Sequence, residues 1–406
     1  MLGLAKYLPE FGWQPVILTA PLHERPDPRY RIIETDYRHA LGLWLRLLRF
    51  KPDEDLRKQV KQRLGITAKK SPLDRLLTFI GEIVNYPDSE KGWKTFAIRS
   101  GEKLLGQESI AAIISSSAPV TTHLIARKLK SRYRIPWIAD LRDLWTQNHN
   151  YSYSPLRKLI DKRLEFKTLS MADALITVSQ PWADKLRELH KGKAIYTITN
   201  GFDPETVNMP PVDLTTKFTI TYTGTIYPGK QDPTKLFAAL SDLISDRFLD
   251  PNSIEIRFYG TSEDWLEKES KQYGLSSVTN QYGFVSRDIA LQKQRESQLL
   301  LLLNWDDPQE KGNYPGKVFE YLAAGRPILA TGGSCEGVVS QLLVETKAGK
   351  HTPTKESIKD AIRELFSEYK ETGRVAHHGD ETKMNKYSHR EMAKKFADIL
   401  AHLVGK

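Results

Sequence analysis

Two hydrophobic rhythms alternate along the chain: short continuous apolar runs, and longer stretches in which apolar residues return every three or four positions. From about Gly101 the alternation is regular, with a helix, a strand at Ile110 to Ser115, a helix at Val120 to Tyr133, a strand at Trp137 to Asp140 and a long helix from about Pro155 to Met171. A strand at Ala174 to Val178, a helix at Pro181 to His190 and a strand at Ile195 to Ile198 follow. Asn200 to Thr216, with Pro204, Pro210 and Pro211, interrupts the rhythm and reads as a linker, in which Asn200-Gly201 favours a turn with positive φ and could serve as a hinge. Strands at Phe218 to Thr223, Ile254 to Tyr259, Val278 to Tyr282, Leu299 to Leu303 and Ile328 to Ala330 then alternate with helices at Thr234 to Leu243, Ser262 to Tyr273 and Arg287 to Ser297, and with the helix that carries Glu320. Strands alternating with helices predict an α/β protein with doubly wound parallel sheets.

The two ends depart from this pattern. Met1 to Phe11 reads as an amphipathic helix, followed by a turn at Gly12 and a strand at Pro15 to Thr19. A parallel sheet of this kind ordinarily opens on a strand and a Gly-rich turn, so the first strand is expected to be missing from this chain. Residues 38 to 80 read as a long helical stretch in which Trp44, Leu45, Leu47, Leu48 and Phe50 mix with Arg38, Arg46, Arg49 and Lys51. That mixture suits a helical excursion packed on its own domain, or one lying on an anionic bilayer. The charged helical tail from Lys355 to Val404 is expected to cross back onto the first domain. The resulting division is an N-terminal domain over 1–200, a C-terminal domain over 201–385 and a crossing helix over 386–406.

Composition narrows the classes. At 406 residues there is room for two cores, and 40% apolar with 10% aromatic residues is globular. The single cysteine, Cys335, excludes an internal disulfide and a cysteine-based zinc site and fits a reducing compartment. No secretory signal pattern or run of about eighteen apolar residues occurs. A net charge of +10 calls for an anionic partner. Zinc-finger spacing, RNP-type aromatics and compact basic blocks are absent, so nucleic acid is not expected. The ten histidines lack H-x-x-x-H or H-E-x-x-H spacing, so neither a metal nor another cofactor is expected. G-x-S-x-G, P-loop and G-x-G-x-x-G motifs are missing too, which weakens hydrolase and dehydrogenase readings.

The most informative chemistry lies in Gly312 to Pro327, where a Gly/Pro turn containing Tyr314 and Gly316 opens into a short helix bearing Lys317 and Glu320. Backbone N–H groups at the start of a helix attract anions and Lys317 adds a full charge. Glu320, one turn deeper, suits ribose hydroxyls. A second cation, Lys230, follows the strand-end Gly224 and Thr225 by a few residues, at the carboxyl end of the sheet where ligands gather in open α/β folds. Tyr282 to Arg287, at a strand-to-helix junction, offers backbone groups to a nucleobase. Asp306, Asp307 and Glu310 are acidic loop residues without metal-ligand spacing. In the first half, Asp140, Arg142 and Asp143 close a strand. Arg142 offers a fork to a phosphate or sugar hydroxyl, and either aspartate could bind hydroxyls, orient Arg142 or act as a base.

Together these residues resemble the retaining glycosyltransferases of family four, also called glycosyl transferases group 1. Their GT-B fold sets two facing Rossmann-like domains around a cleft. The resemblance rests on Gly224 with Lys230, on Asn200-Gly201, and on Gly316-Lys317 through Glu320 to Pro327. It implies that Lys230 contacts the donor diphosphate, that Glu320 binds the ribose, and that Arg142 stands where the family has a cleft histidine. Thr225 replaces the family's usual arginine, and Gly312 replaces the first glutamate of its Glu-x7-Glu pattern. The implied activity is transfer of a hexose from a nucleotide diphosphate sugar to a hydroxyl of a lipid-linked or saccharide acceptor, in polysaccharide, lipopolysaccharide or glycolipid synthesis. A nucleotide-sugar epimerase of the same fold, or a non-catalytic binding protein, are the alternatives. The expected location is the cytoplasm, with peripheral contact at the inner face of an anionic membrane for a lipid-linked acceptor.

Overall fold

Five leucines in a row, Leu299–Leu303, are all buried in one strand, as a strand covered on both faces requires. The computed structural model describes residues 1–22, 27–38, 81–83, 85–148, 150–151, 153–207, 209–307 and 309–405. All but the first residue of the helix expected over 38 to 80 lies outside these. The chain divides into two compact units, one of Met1–Ile198 with Lys394–Lys406 and one of Thr199–Ala393.

The C-terminal unit is a six-stranded parallel sheet. Its strands β7 (Phe218–Thr223), β8 (Ile254–Tyr259), β9 (Thr279–Gly283), β10 (Leu299–Leu303), β11 (Ile328–Thr331) and β12 (Gly349–Thr352) run in the order β12-β11-β10-β7-β8-β9. Because side chains alternate along a strand, β10 sends Leu299, Leu301 and Leu303 to one face and Leu300 and Leu302 to the other. The first set packs with residues of helices Thr234–Ser245 and Lys355–Thr372, and the second with those of Lys317–Ala324 and Val338–Thr346. Each such leucine contributes about 1.5–3 kcal/mol by leaving water.

The N-terminal unit holds a four-stranded parallel sheet, β3 (Ile113–Ser117), β4 (Trp137–Leu141), β5 (Ala174–Thr177) and β6 (Ala194–Thr197), in sequence order. A separate parallel pair joins β1 (Val16–Thr19) to β2 (Arg31–Glu34). Trp137, Ile138, Ala139 and Leu141 of β4 are fully buried. Helices Lys94–Gln107, Thr121–Tyr133, Pro155–Leu169 and Gln180–Leu189 belong to the same unit. Among the described residues no helix is long and apolar enough to cross a membrane.

Several local expectations change. The first helix is α-helical only over Leu2–Tyr7 and tightens to a 3-10 turn at Leu8–Phe11, where Pro9 cannot donate to an α ladder. Strands β2 and β12 and helix Val338–Thr346 were not anticipated. Nor is Asn200-Gly201 a positive-φ turn: Gly201 is required because a Cβ there would lie 2.6 Å from the Tyr387 carbonyl oxygen. Phe202 next to it is buried, donates its N–H to Tyr387 O at 3.0 Å and accepts from His389 N at 2.8 Å, so this point is packed into the C-terminal unit.

Candidate functional site

Strand β7 delivers the chain to Gly224, whose φ of +105° strains any residue with a side chain. Space demands glycine as well: a Cβ here would lie 2.6 Å from Lys317 Cε and 3.0 Å from its Nζ. At the end of β8, a Cβ on Gly260 would stand 2.2 Å from Gly224 O. Two strand ends thus meet backbone to backbone, and a lysine lies directly against one of them.

That lysine opens helix α9, which spans Lys317–Ala324 behind Pro315 and Gly316. No side chain caps its first turn, whose one acidic residue is Glu320. Lys317 reaches back over the Tyr222 ring, with Nζ 5.0 Å from the centroid. Burial lowers its pKa, partly opposed by the charge of Glu320. Its ammonium makes no hydrogen bond or ion pair among the described residues. A half-buried ammonium with no hydrogen-bonded partner has lost part of its hydration and gains from an anion.

Glu320 lies one turn along. Arg287 Nη2 stands 3.8 Å from Oε1, and Gln294 Nε2 stands 3.4 Å from Oε2. The same Gln294 amide donates to Thr223 Oγ1 at 2.9 Å, and the Thr223 backbone N–H donates to Tyr321 Oη at 3.1 Å. This network ties the end of β7 to helix Arg287–Arg295 and to α9, which fixes where the Glu320 carboxylate stands. Gln294, Thr223 and Tyr321 gave no sequence signal. A buried glutamine in a helix looks like any surface polar residue until the fold is known.

Lys230, in the exposed loop after β7, holds Nζ 5.3 Å from the Trp305 ring centroid. Its carbonyl accepts from Asp306 N at 2.9 Å, joining this loop to the one after β10. Thr225 is exposed while its carbonyl accepts from Tyr222 Oη at 2.9 Å. Tyr314 turns inward, its ring 5.6 Å from Phe319 and its hydroxyl pushed up to about 12 by burial. It therefore supports the entrance of α9 and presents backbone there. Where the family pattern would place a glutamate at 312, the buried Glu310 carboxylate accepts from Gly312 N at 2.9 Å. At the end of β9, Gly283 has a φ of +74°, and Phe284 beyond it is 87% exposed.

The structure therefore brings Gly224, Lys317 and Glu320 together, with Gly316 at the same helix start and Thr225 and Lys230 on the adjoining loop. The two described cavities lie elsewhere, one of about 400 Å³ beside Phe248 and Phe366 and one of about 520 Å³ beside Tyr86 and Leu124. Among the described residues no group of three His, Cys, Asp or Glu side chains could hold a metal ion.

In the N-terminal unit, the aspartates of β4 and its following loop part company. Asp140 is fully buried, and its Oδ2 accepts from Ser116 Oγ at 2.8 Å and Arg142 Nε at 2.9 Å. That burial fits the role of orienting Arg142 and not that of a base open to substrate. Arg142 also donates through Nη1 to Ile198 O at 3.0 Å and lies 5.5 Å from the Phe396 ring centroid. Asp143 is exposed.

Residues 1–201 match a family model described as the glycosyl transferase 4-like domain. No curated protein matches the chain by sequence. Solved structures share its fold at low identity. HepE of Anabaena, solved in complex with UDP, is 13% identical with a TM-score of 0.61 over 96% of this chain and 100% of its own. A glycosyltransferase from Rickettsia africae is 15% identical with a TM-score of 0.59 over 99% and 93%. Sucrose-phosphate synthase from Thermosynechococcus elongatus is 13% identical with a TM-score of 0.57 over 77% and 78%. The fold is that of the GT-B glycosyltransferases, and with the domain match the protein is a glycosyltransferase enzyme.

Proposed function

We propose that this enzyme moves a hexose, with retention at the anomeric carbon, from a nucleoside diphosphate sugar to a hydroxyl of a saccharide or lipid-linked acceptor. The observation that carries this reading is the half-buried Lys317 ammonium, without a hydrogen bond or ion pair among the described residues, held against Gly224 one helical turn from Glu320. Lys317 and the leading N–H groups of α9 receive the diphosphate, Lys230 adds charge from the loop, and Glu320 takes the ribose hydroxyls. The backbone around Gly283 and Phe284 receives the base.

In the proposed reaction the bond between the anomeric carbon and the diphosphate oxygen breaks as the acceptor oxygen bonds to that carbon from the same face. The acceptor proton passes to the departing phosphate. Charge then builds on the diphosphate, where fixed cations and dipoles stabilise it most. Arg142, oriented by Asp140, is assigned to the acceptor side together with the exposed Asp143. Backbone near Gly312 to Tyr314 takes over sugar recognition, held in shape by Glu310. A lipid-linked acceptor would set this chemistry at an anionic membrane face and would suit polysaccharide, lipopolysaccharide or glycolipid synthesis.

UDP is the first nucleotide to try, because HepE is solved with it. Incubation with UDP-, GDP- and ADP-hexoses and a panel of acceptors separates the readings by product. Free nucleoside diphosphate with a glycosylated acceptor supports transfer. An epimerised sugar nucleotide, or binding without turnover, overturns it. Lys230→Ala and Glu320→Ala should each weaken donor binding, and unchanged affinity in both would rule out this site.

A further inference from the structure

Helix α4, Pro155–Leu169, is built inside out. Its inward residues are Arg157, Asp161, Glu165 and Thr168, with Leu169 at its end, all buried. Arg157 Nε donates to Asp161 Oδ2 at 2.9 Å, Tyr151 Oη donates to the same oxygen at 2.6 Å, and Glu165 accepts from the Thr146 backbone N–H at 3.1 Å. Both carboxylates of the helix are thereby consumed inside the unit.

The outward face carries what a core helix would bury. Leu156, Leu159, Ile160 and Phe166 are 60%, 51%, 43% and 54% exposed. Their spacing of three, four and six residues draws them into one stripe, with Arg163 and Lys167 inside it and Lys162 along its flank. Lys162, Arg163 and Lys167 make no ion pair among the described residues. Exposed aliphatic side chains in such a cluster mark a surface that another phase or molecule covers.

We infer that this face of α4 seats on an anionic lipid bilayer, its leucines and Phe166 entering the boundary of the acyl chains and its three cations, Lys162, Arg163 and Lys167, meeting the headgroups. Charge complementarity selects that occupant. The long lysine and arginine stems can lie along apolar surface while their charges reach the headgroup plane, and no outward carboxylate opposes them. A second copy seated on the same face would oppose three cations with three more, a like-charge arrangement that disfavours pairing. The inference goes beyond the proposed reaction and does not rest on the donor site.

Flotation of the full chain with vesicles tests it without any donor. The chain should float with phosphatidylcholine vesicles enriched in phosphatidylserine, should not float with phosphatidylcholine alone, and should be released by salt. The triple substitution Lys162→Gln, Arg163→Gln and Lys167→Gln should lower partitioning at least about tenfold. Leu159→Asp should lower it similarly, and both variants should keep the parent's thermal midpoint. In a Cys335→Ser background, Leu159→Cys should react quickly with a water-soluble maleimide and be shielded once anionic vesicles are added. Absence of flotation, or flotation indifferent to these substitutions, would overturn the inference. So would a Leu159→Cys thiol already shielded without lipid, or a dimer that Leu159→Asp dissolves.

Discussion

Lys317 carries the sharpest conflict between stability and function in the molecule. Replacing it with Met keeps the stem that crosses Tyr222 and removes the unpaired charge, so the ligand-free protein should melt at a higher temperature while UDP affinity falls by about tenfold to a hundredfold. The sign of the pH dependence follows from its lowered pKa. Between that lowered native value and the ordinary value of 10.5 the unfolded chain binds more protons, so this residue's contribution to stability improves as pH rises through the window. The melting advantage of Lys317→Met should therefore shrink toward pH 10.5, while UDP binding by the parent weakens as the ammonium is lost. An advantage that grows with pH would contradict the assignment. Glu320→Gln removes the charged acceptor for ribose hydroxyls. It should cost UDP about tenfold in affinity and cost a 2′,3′-dideoxy analogue little, as calorimetric titration of the two ligands would show.

At the level of elements, the site depends on two strand ends and one helix start meeting without side chains between them. Gly224→Ala would drive a methyl group into Lys317 and add backbone strain of about 1–2 kcal/mol at positive φ. It should weaken UDP at least about tenfold with the circular dichroism spectrum intact, and undiminished affinity would show that Lys317 is not held there for the ligand. Packing makes a contrasting prediction: Leu301→Ala in the middle of β10 should cost about 2–5 kcal/mol in denaturant unfolding, and Val344→Ala, 77% exposed, within about 0.5 kcal/mol. The elements legible in the sequence were those whose pattern reflects this burial. Strand β10 begins and ends with its apolar run, and β7 and β8 keep the bounds expected from their alternating apolar positions. Strand β12, Gly-Lys-His-Thr, is a polar edge strand, and β2 has only two apolar residues between Arg31 and Glu34, so neither shows such a run. Helix Val338–Thr346 begins at Gly337 with no capping side chain and gives no start signal. In the site, Lys317, Glu320 and Gly224 were legible because turn chemistry and charge sit on neighbouring residues. Gln294 reaches Thr223 from 71 positions away, a relation that only folding creates.

Across the whole molecule, two α/β units share one chain with a net charge of +10, and the grip on an anionic donor is assigned to the C-terminal one. Because UDP should bind the folded C-terminal unit alone, saturating it at about a hundred times its dissociation constant should stabilise that unit by about 2.7 kcal/mol. The lipid contact inferred for helix α4 lies in the N-terminal unit, so donor grip and lipid seating should be lost by different substitutions. The most direct test is a crystal structure of the chain with UDP bound. The account predicts a diphosphate oxygen within about 2.7–3.2 Å of Lys317 Nζ and ribose hydroxyls on the Glu320 carboxylate. UDP bound with both side chains unengaged would contradict it.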